Sequence, residues 1–194
     1  AFIALGHDAM SCDLLETDQP GPHYKGDVRD VLYAGEWDIM IAHPDCTRLT
    51  NAGVRWYTVP PKGVTLEQLW IDFHIGAAMY KELRNAPIKK KAIENPIMHC
   101  YATELIKPRT RQIVQPWYFG EKTFKATGLE MQNLPNLVDT NRLTPPKPGT
   151  QEHKDWSWVH RASPGKNRWK IRSTTSQGVA DAMAMQWGGK IDLL

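Results

Sequence analysis

The chain has 194 residues, 41% of them apolar and 23% charged, with a net charge of +3, which excludes a disordered or fibrous chain and allows one domain, 1–194, with a sizeable core. No run approaches the roughly 20 apolar residues of a membrane span and the first residues lack a basic region and cleavage site, so the expected protein is cytoplasmic with no membrane partner. Cys12, Cys46 and Cys100 are too far apart to form a C-x-x-C pair, which predicts free thiols, no disulfide framework and no zinc site.

Residues 1–5 read as the last turn of a helix with Gly6 as its C-cap, and the stretch from His7 to Leu15 as a short strand ending at Asp13. Gly26 and Asp27 close a loop before a short helix near Val28 to Tyr33. A strand from Asp38 to Ala42 stops at Pro44 and leaves Cys46 at its tip. From Leu66 to Asn85, Leu66, Leu69, Trp70, Phe73, Ala77, Tyr80 and Leu83 recur at helical spacing, with Glu67 in the first turn and Lys81 and Arg84 near the end, which predicts an amphipathic helix packed on a sheet. A second strand, Lys91 to Asn95, stops at Pro96. Helix, strand and helix are then expected at 101–106, 112–117 and 127–131. This alternation argues for an α/β fold with a mostly parallel sheet and helices on both faces. Residues 145–170, rich in proline, glycine and charge, predict a long loop or insertion, and Gly178 to Trp187 a closing helix.

Charge is uneven. Between Arg142 and Arg172 there are eight basic residues against Glu152 and Asp155, interleaved with Trp156, Trp158 and Trp169. That mixture suits phosphate contact plus base stacking, and it equally suits a solvated basic loop whose tryptophans cap the core. The histidines are scattered, and none is assigned a metal.

Two strand tips carry the chemistry: Pro-Asp-Cys at 44–46 and Glu-Asn-Pro at 94–96, separated by one amphipathic helix. A right-handed crossover sets such tips side by side, so that Cys46 and Glu94 face one pocket beyond the strand ends. A thiolate adds to an electron-poor ring, and a carboxylic acid protonates the ring nitrogen that gains electron density. That pairing activates cytosine. The plainer readings are a buried structural cysteine, a Glu94 that caps the following helix, and turn roles for Asp13 and Asp27.

At these residues the sequence resembles the DNA cytosine-5 methyltransferases, and most of all the compact methyltransferase-like proteins of phage genomes. The first motif is His-Pro-Asp-Cys-Thr-Arg-Leu-Thr-Asn-Ala-Gly at 43–53, and the second is Ile-Glu-Asn-Pro at 93–96. Residues 119–127 resemble the family's Gln-x-Arg-x-Arg strand, and residues 177–184 its final helix. The resemblance implies a Rossmann-like fold that uses S-adenosylmethionine, with Asp13 on the ribose, Asp27 on the adenine and Pro44 beside the cofactor. It also implies Cys46 attacking carbon 6 of cytosine, Glu94 bonded to ring nitrogen 3, Asn95 orienting Glu94 or the loop, and Lys125 neutralising charge on the ring carbonyl. DNA is the implied partner, held by Arg161, Arg168, Arg172 and Trp158, with the target base flipped out of the stack; a homo-oligomer is left open.

Three departures from the family are visible. Asp45 stands where the family's loop has its second proline, and a carboxylate beside a thiol disfavours the thiolate. The basic stretch at 141–170 stands in place of a longer target-recognition region. The family's first strand and glycine-rich cofactor turn have no counterpart before Ala1, so the chain reads as N-terminally truncated, with residues 190–194 apolar enough to fill the gap. Two further functions stay open: a catalytically inactive nucleic-acid-binding protein, and an enzyme acting on free pyrimidine nucleotides.

Overall fold

The computed structural model describes residues 1–109, 111–165 and 168–189. Along the chain run β1 (Ser11–Asp13), β2 (His23–Lys25), α1 (Val28–Leu32), β3 (Ile39–Ala42), α2 (Leu66–Asn85), β4 (Lys90–Pro96), α3 (Cys100–Ile106), β5 (Arg111–Val114), β6 (Thr127–Gln132), α4 (Gln151–Trp156), α5 (Trp158–Arg161), α6 (Arg168–Ser173) and α7 (Gln177–Trp187). Where the sequence suggests one domain, contacts divide the chain into two compact units. The first comprises 1–35, 115–125 and the described residues from Leu137 on; the second comprises 36–114 and 126–136.

The second unit is built on a four-stranded sheet in the order β3-β4-β6-β5. β3 and β4 are parallel, with Met40 opposite Lys91 and Ala42 opposite Ile93. β6 runs antiparallel to both β4 and β5. The sheet is therefore mixed, which corrects the expectation of a mostly parallel one. Within this unit a helical crossover joins parallel neighbours at β3-α2-β4, the connection that parallel strands require.

The correction has a single source, residues 127–131, which the sequence assigns to a helix. They form β6 instead, hydrogen-bonded on both edges, with Thr127, Gly128, Leu129, Glu130 and Met131 all buried. A strand covered on both faces loses the polar-apolar alternation that identifies strands. Gly128 also fits this place. A Cβ there would lie 3.1 Å from the Arg111 side chain and 3.2 Å from the Asn95 carbonyl oxygen.

α2 forms as its sequence predicts. The Thr65 side chain accepts the Gln68 N–H at 3.1 Å as N-cap, Glu67 lies in the first turn and Arg84 in the last, each complementing the helix dipole. Leu69, Phe73, Ala77, Tyr80 and Leu83 are its buried stripe, and the helix packs on β4 and α3. Full burial of a Leu- or Phe-sized side chain is worth about 1.5–3 kcal/mol, so this stripe is the main anchor of the unit.

In the first unit β1 and β2 form a two-stranded parallel sheet. Gly6 ends the opening 3-10 turn in the left-handed conformation, φ 83°. Residues 141–170, expected as loop, hold α4, α5 and the start of α6. Thr150 caps α4 by accepting the His153 N–H at 3.1 Å, and Trp156 and Val159 are buried, so core contacts and a cap overcome the helix-breaking composition around them. Residues 121–126, expected within a strand, lie outside helices and strands; the strand starts at Thr127. α7 buries Val179, Ala182, Met183, Ala184 and Trp187. Its approach to Phe119 is close enough that a Cβ on Gly178 would sit 2.3 Å from the Phe119 carbonyl oxygen. The proposed filling of a sheet gap by residues 190–194 lies outside the described residues. Among the described residues, no helix is long and apolar enough to cross a membrane.

Candidate active site at the ends of two parallel strands

Because Ala42 pairs with Ile93 in a parallel ladder, the next residues, His43 and Glu94, lie side by side. His43 Nδ1 is 3.4 Å from Glu94 Oε2, and the Glu94 side chain is 17% exposed. Pro44 ends the strand, having no N–H for a ladder. Asp45 Oδ1 then accepts from the Thr47 N–H at 2.8 Å and the Thr47 hydroxyl at 2.5 Å, closing the turn that contains half-buried Cys46.

The chain beyond Cys46 is bound to the chain beyond Glu94. Leu49 N–H donates to the Cys46 carbonyl at 2.9 Å, Asn51 N–H to Ile97 at 2.9 Å and His99 N–H to Leu49 at 3.1 Å; Thr50 bridges to Met98. His99 is the central strut, 1% exposed. Its Nδ1 accepts the Ala102 N–H at 3.1 Å, so Nε2 carries the proton and donates to the Arg48 carbonyl at 2.7 Å. The Tyr57 hydroxyl donates to the same carbonyl at 3.0 Å. Arg48 itself pairs with Asp72 of α2 at 3.2 Å, and a Cβ placed on Gly76 of α2 would lie 3.8 Å from the Asp45 carbonyl oxygen and from the Leu49 side chain. The loop that holds the thiol is thus tied to both elements that follow it.

Comparison of the chain with protein-family models, with curated proteins and with solved structures returns no match. The site therefore rests on its own geometry.

Several expected roles are altered by that geometry. Consecutive residues in a strand face opposite sides, so Asn95 is turned away from Glu94 and does not orient its carboxyl. Asn95 is 3% exposed; its Nδ2 donates to the Pro96 carbonyl, and its buried Oδ1 has no hydrogen-bond partner. Glu94 does not cap α3, because His99 does. His43 and His99 were visible in the sequence only as neighbours of the motifs; their partners lie 51 residues away.

The remaining candidates belong to the first unit. Lys125 N–H donates to Gln115 Oε1 at 3.0 Å, and its ammonium, expected to meet a ring carbonyl, donates to the Thr174 carbonyl at 2.8 Å. Asp27 is the N-cap of α1. Its Oδ1 accepts the Arg29 N–H at 2.9 Å and its Oδ2 faces the Arg29 guanidinium at 3.1 Å. The backbone hydrogen bond, aided by that guanidinium, holds its carboxyl below the usual range. Asp13, expected on the ribose, is exposed at the end of β1, and its Oδ1 accepts the Leu15 N–H at 2.9 Å. Neighbouring Cys12 is half-buried, and burial, reinforced by Asp13, Asp27 and Asp30, pushes its thiol up.

On the basic segment Arg161 and Arg172 are exposed and Arg168 half-buried. Trp158 is 49% and Trp169 58% exposed, whereas Trp156 is 3% exposed and packed against Phe124. The Trp158 indole donates to the Thr123 hydroxyl at 3.0 Å. Lys170 pairs with Asp18 at 2.5 Å. Cys100 is exposed. Among the described residues, no group of three or more His, Cys, Asp or Glu is placed to hold a metal ion.

Proposed function

We propose that this chain transfers a methyl group to carbon 5 of cytosine in DNA, with Cys46 as nucleophile and S-adenosylmethionine as donor. The observation that carries the reading is the meeting of the Cys46 loop and Glu94 at the carboxyl ends of parallel β3 and β4, where open α/β sheets keep their chemistry. The Cys46 thiolate forms a bond to carbon 6 while the Glu94 carboxylic acid gives a proton to nitrogen 3, and the displaced electron pair makes carbon 5 nucleophilic. The bound sulfonium supplies an electrophilic methyl group. Nitrogen 3 returns its proton to the Glu94 carboxylate, and transfer of the carbon 5 proton to water then expels the Cys46 thiolate and restores the ring. His43, beside Glu94 at 3.4 Å, is positioned to exchange the carboxyl proton. Exposed Trp158 and Trp169 among Arg161, Arg168 and Arg172 supply stacking and phosphate contacts to the DNA.

A second reading, a catalytically silent protein that binds nucleic acid, is favoured by the commitment of Asp27 to Arg29 and of Lys125 to Thr174. One experiment separates the two. The protein and Cys46→Ala are incubated with DNA and the donor tritiated at its methyl group. Label in DNA that disappears with Cys46→Ala supports methyl transfer. No label from either, together with salt-sensitive DNA binding, supports the silent reading, and a 5-fluorocytosine duplex that forms no covalent adduct with the unaltered protein and donor removes the nucleophile assignment.

A further inference from the structure

A cavity of about 270 Å³ in the second unit is lined by Arg84, Lys91, Ile93, Arg109, Glu130, Met131, Gln132 and Asn133. Lys91 and Ile93 alternate with Glu94 along β4, so the cavity lies on the opposite face of the strand from Glu94 and toward its other end. It is a separate place from the proposed methyl-transfer site.

Its charges do not balance. Glu130 is satisfied within the fold: its Oε2 accepts from the Tyr80 hydroxyl at 2.9 Å and from Arg84 Nη2 at 3.0 Å, and the Arg84 guanidinium forms an ion pair with it. That pair is internally neutral, with side chains 11% and 5% exposed. Lys91 is 4% exposed. Its ammonium donates to the Ala86 carbonyl, leaving further N–H donors of the same group. Arg109 is exposed and makes no ion pair with any described residue. Burial and the Arg109 charge push the Lys91 ammonium down from its ordinary value, the direction expected for a cation lacking its counter-ion.

We propose that this cavity binds a small oxyanion of phosphate chemistry, with Lys91 and Arg109 as its charged ligands and Arg84 at its wall. Two uncompensated cations match a phosphate dianion. The guanidinium offers paired parallel N–H groups that suit two phosphate oxygens, and the ammonium offers a compact point charge. Size points the same way, because the space falls below the ~300–1,000 Å³ of pockets for drug-sized ligands. The phosphate comes either from a free ion or small ester, or from a nucleic-acid backbone.

The test uses the whole chain with inorganic phosphate. Thermal unfolding is followed against phosphate concentration at constant ionic strength set with chloride, and binding is measured by phosphorus NMR. A saturable rise in Tm is expected, with affinity reduced at least tenfold in Arg109→Gln and in Lys91→Met. Arg109 is exposed, so its variant folds whether or not loss of Lys91 is tolerated. No saturable effect in the unaltered protein, or the same affinity in Arg109→Gln, overturns the proposal. Duplex DNA distinguishes the sources. A salt slope of DNA binding that falls by about one unit in Arg109→Gln assigns a backbone phosphate, while unchanged DNA binding with lost phosphate binding assigns the free ion.

Discussion

Replacing His99 with Ala removes the strut between the Cys46 loop and α3, and its cost follows from the contacts. Loss of the Nδ1 cap on Ala102 costs about 0.5–2 kcal/mol. Loss of the Nε2 bond to the Arg48 carbonyl costs about 0.5–1.5 kcal/mol; the Tyr57 hydroxyl still serves that oxygen, so it is not orphaned. The ring also sits 5.4 Å from Tyr57 and 5.6 Å from Phe73, and a cavity would replace it. We expect a total of about 2–4 kcal/mol. In urea, with a slope of about 2 kcal/mol/M, within the usual range of about 1–3, the unfolding midpoint falls by roughly 1–2 M. His99→Asn restores a cap without reaching Arg48 and should recover about 1 kcal/mol. The position of Cys46 is read separately, from its alkylation rate in a background lacking Cys12 and Cys100, and that rate should change in both variants. A midpoint lowered by less than about 0.3 M in His99→Ala, or an unchanged Cys46 rate, refutes the strut.

Gly178→Ala should destabilise by about 1–3 kcal/mol, since the new Cβ would lie 2.3 Å from a backbone oxygen that has no rotamer to escape into; an unchanged Tm would show that α7 does not approach Phe119 so closely. Cys12, with its thiol pushed up by burial and by Asp13, Asp27 and Asp30, holds less thiolate at any given pH than an ordinary cysteine. Its alkylation, followed by peptide mass spectrometry, should reach half-maximal rate above the usual thiol value of about 8.5 and shift downward in Asp13→Asn. Trp169→Ala should leave Tm nearly unchanged, because the side chain is 58% exposed, while weakening single-stranded DNA binding by about 1–3 kcal/mol if it stacks on a base; equal affinity by fluorescence titration would return it to a solvated surface residue.

Signals confined to neighbouring residues were legible. The α2 stripe and the adjacency of the β3 and β4 tips follow from periodicity and from the rule for parallel crossovers, and the structure contains them. Thr150 followed by Glu152 is also a local cap signal, but the prolines and glycines around it outweighed it, and α4 was read as loop. Elements whose character depends on distant partners were not legible. Glu130 makes β6 look too polar for a central strand until Tyr80 and Arg84, 50 and 46 residues earlier, are known to neutralise it. Asn95 could be placed next to Glu94 in the chain, yet adjacency in a strand means opposite faces. The commitments of Asp27 and Lys125 depend on a short-range cap and on Thr174, 49 residues away; the first could have been found from the position of Asp27 just before a helix.

At position 45 the turn before the thiol is closed by a side chain bonded to Thr47, where the resembled family has a pyrrolidine. A ring is a permanent restraint, built in at synthesis. A pair of hydrogen bonds, each worth about 0.5–1.5 kcal/mol net, is a latch that opens and recloses as loops do, within nanoseconds to microseconds. The stiffness of the segment carrying Cys46 is therefore an occupancy rather than a covalent constant, and any solute that competes for one carboxylate oxygen tunes how the sulfur is presented.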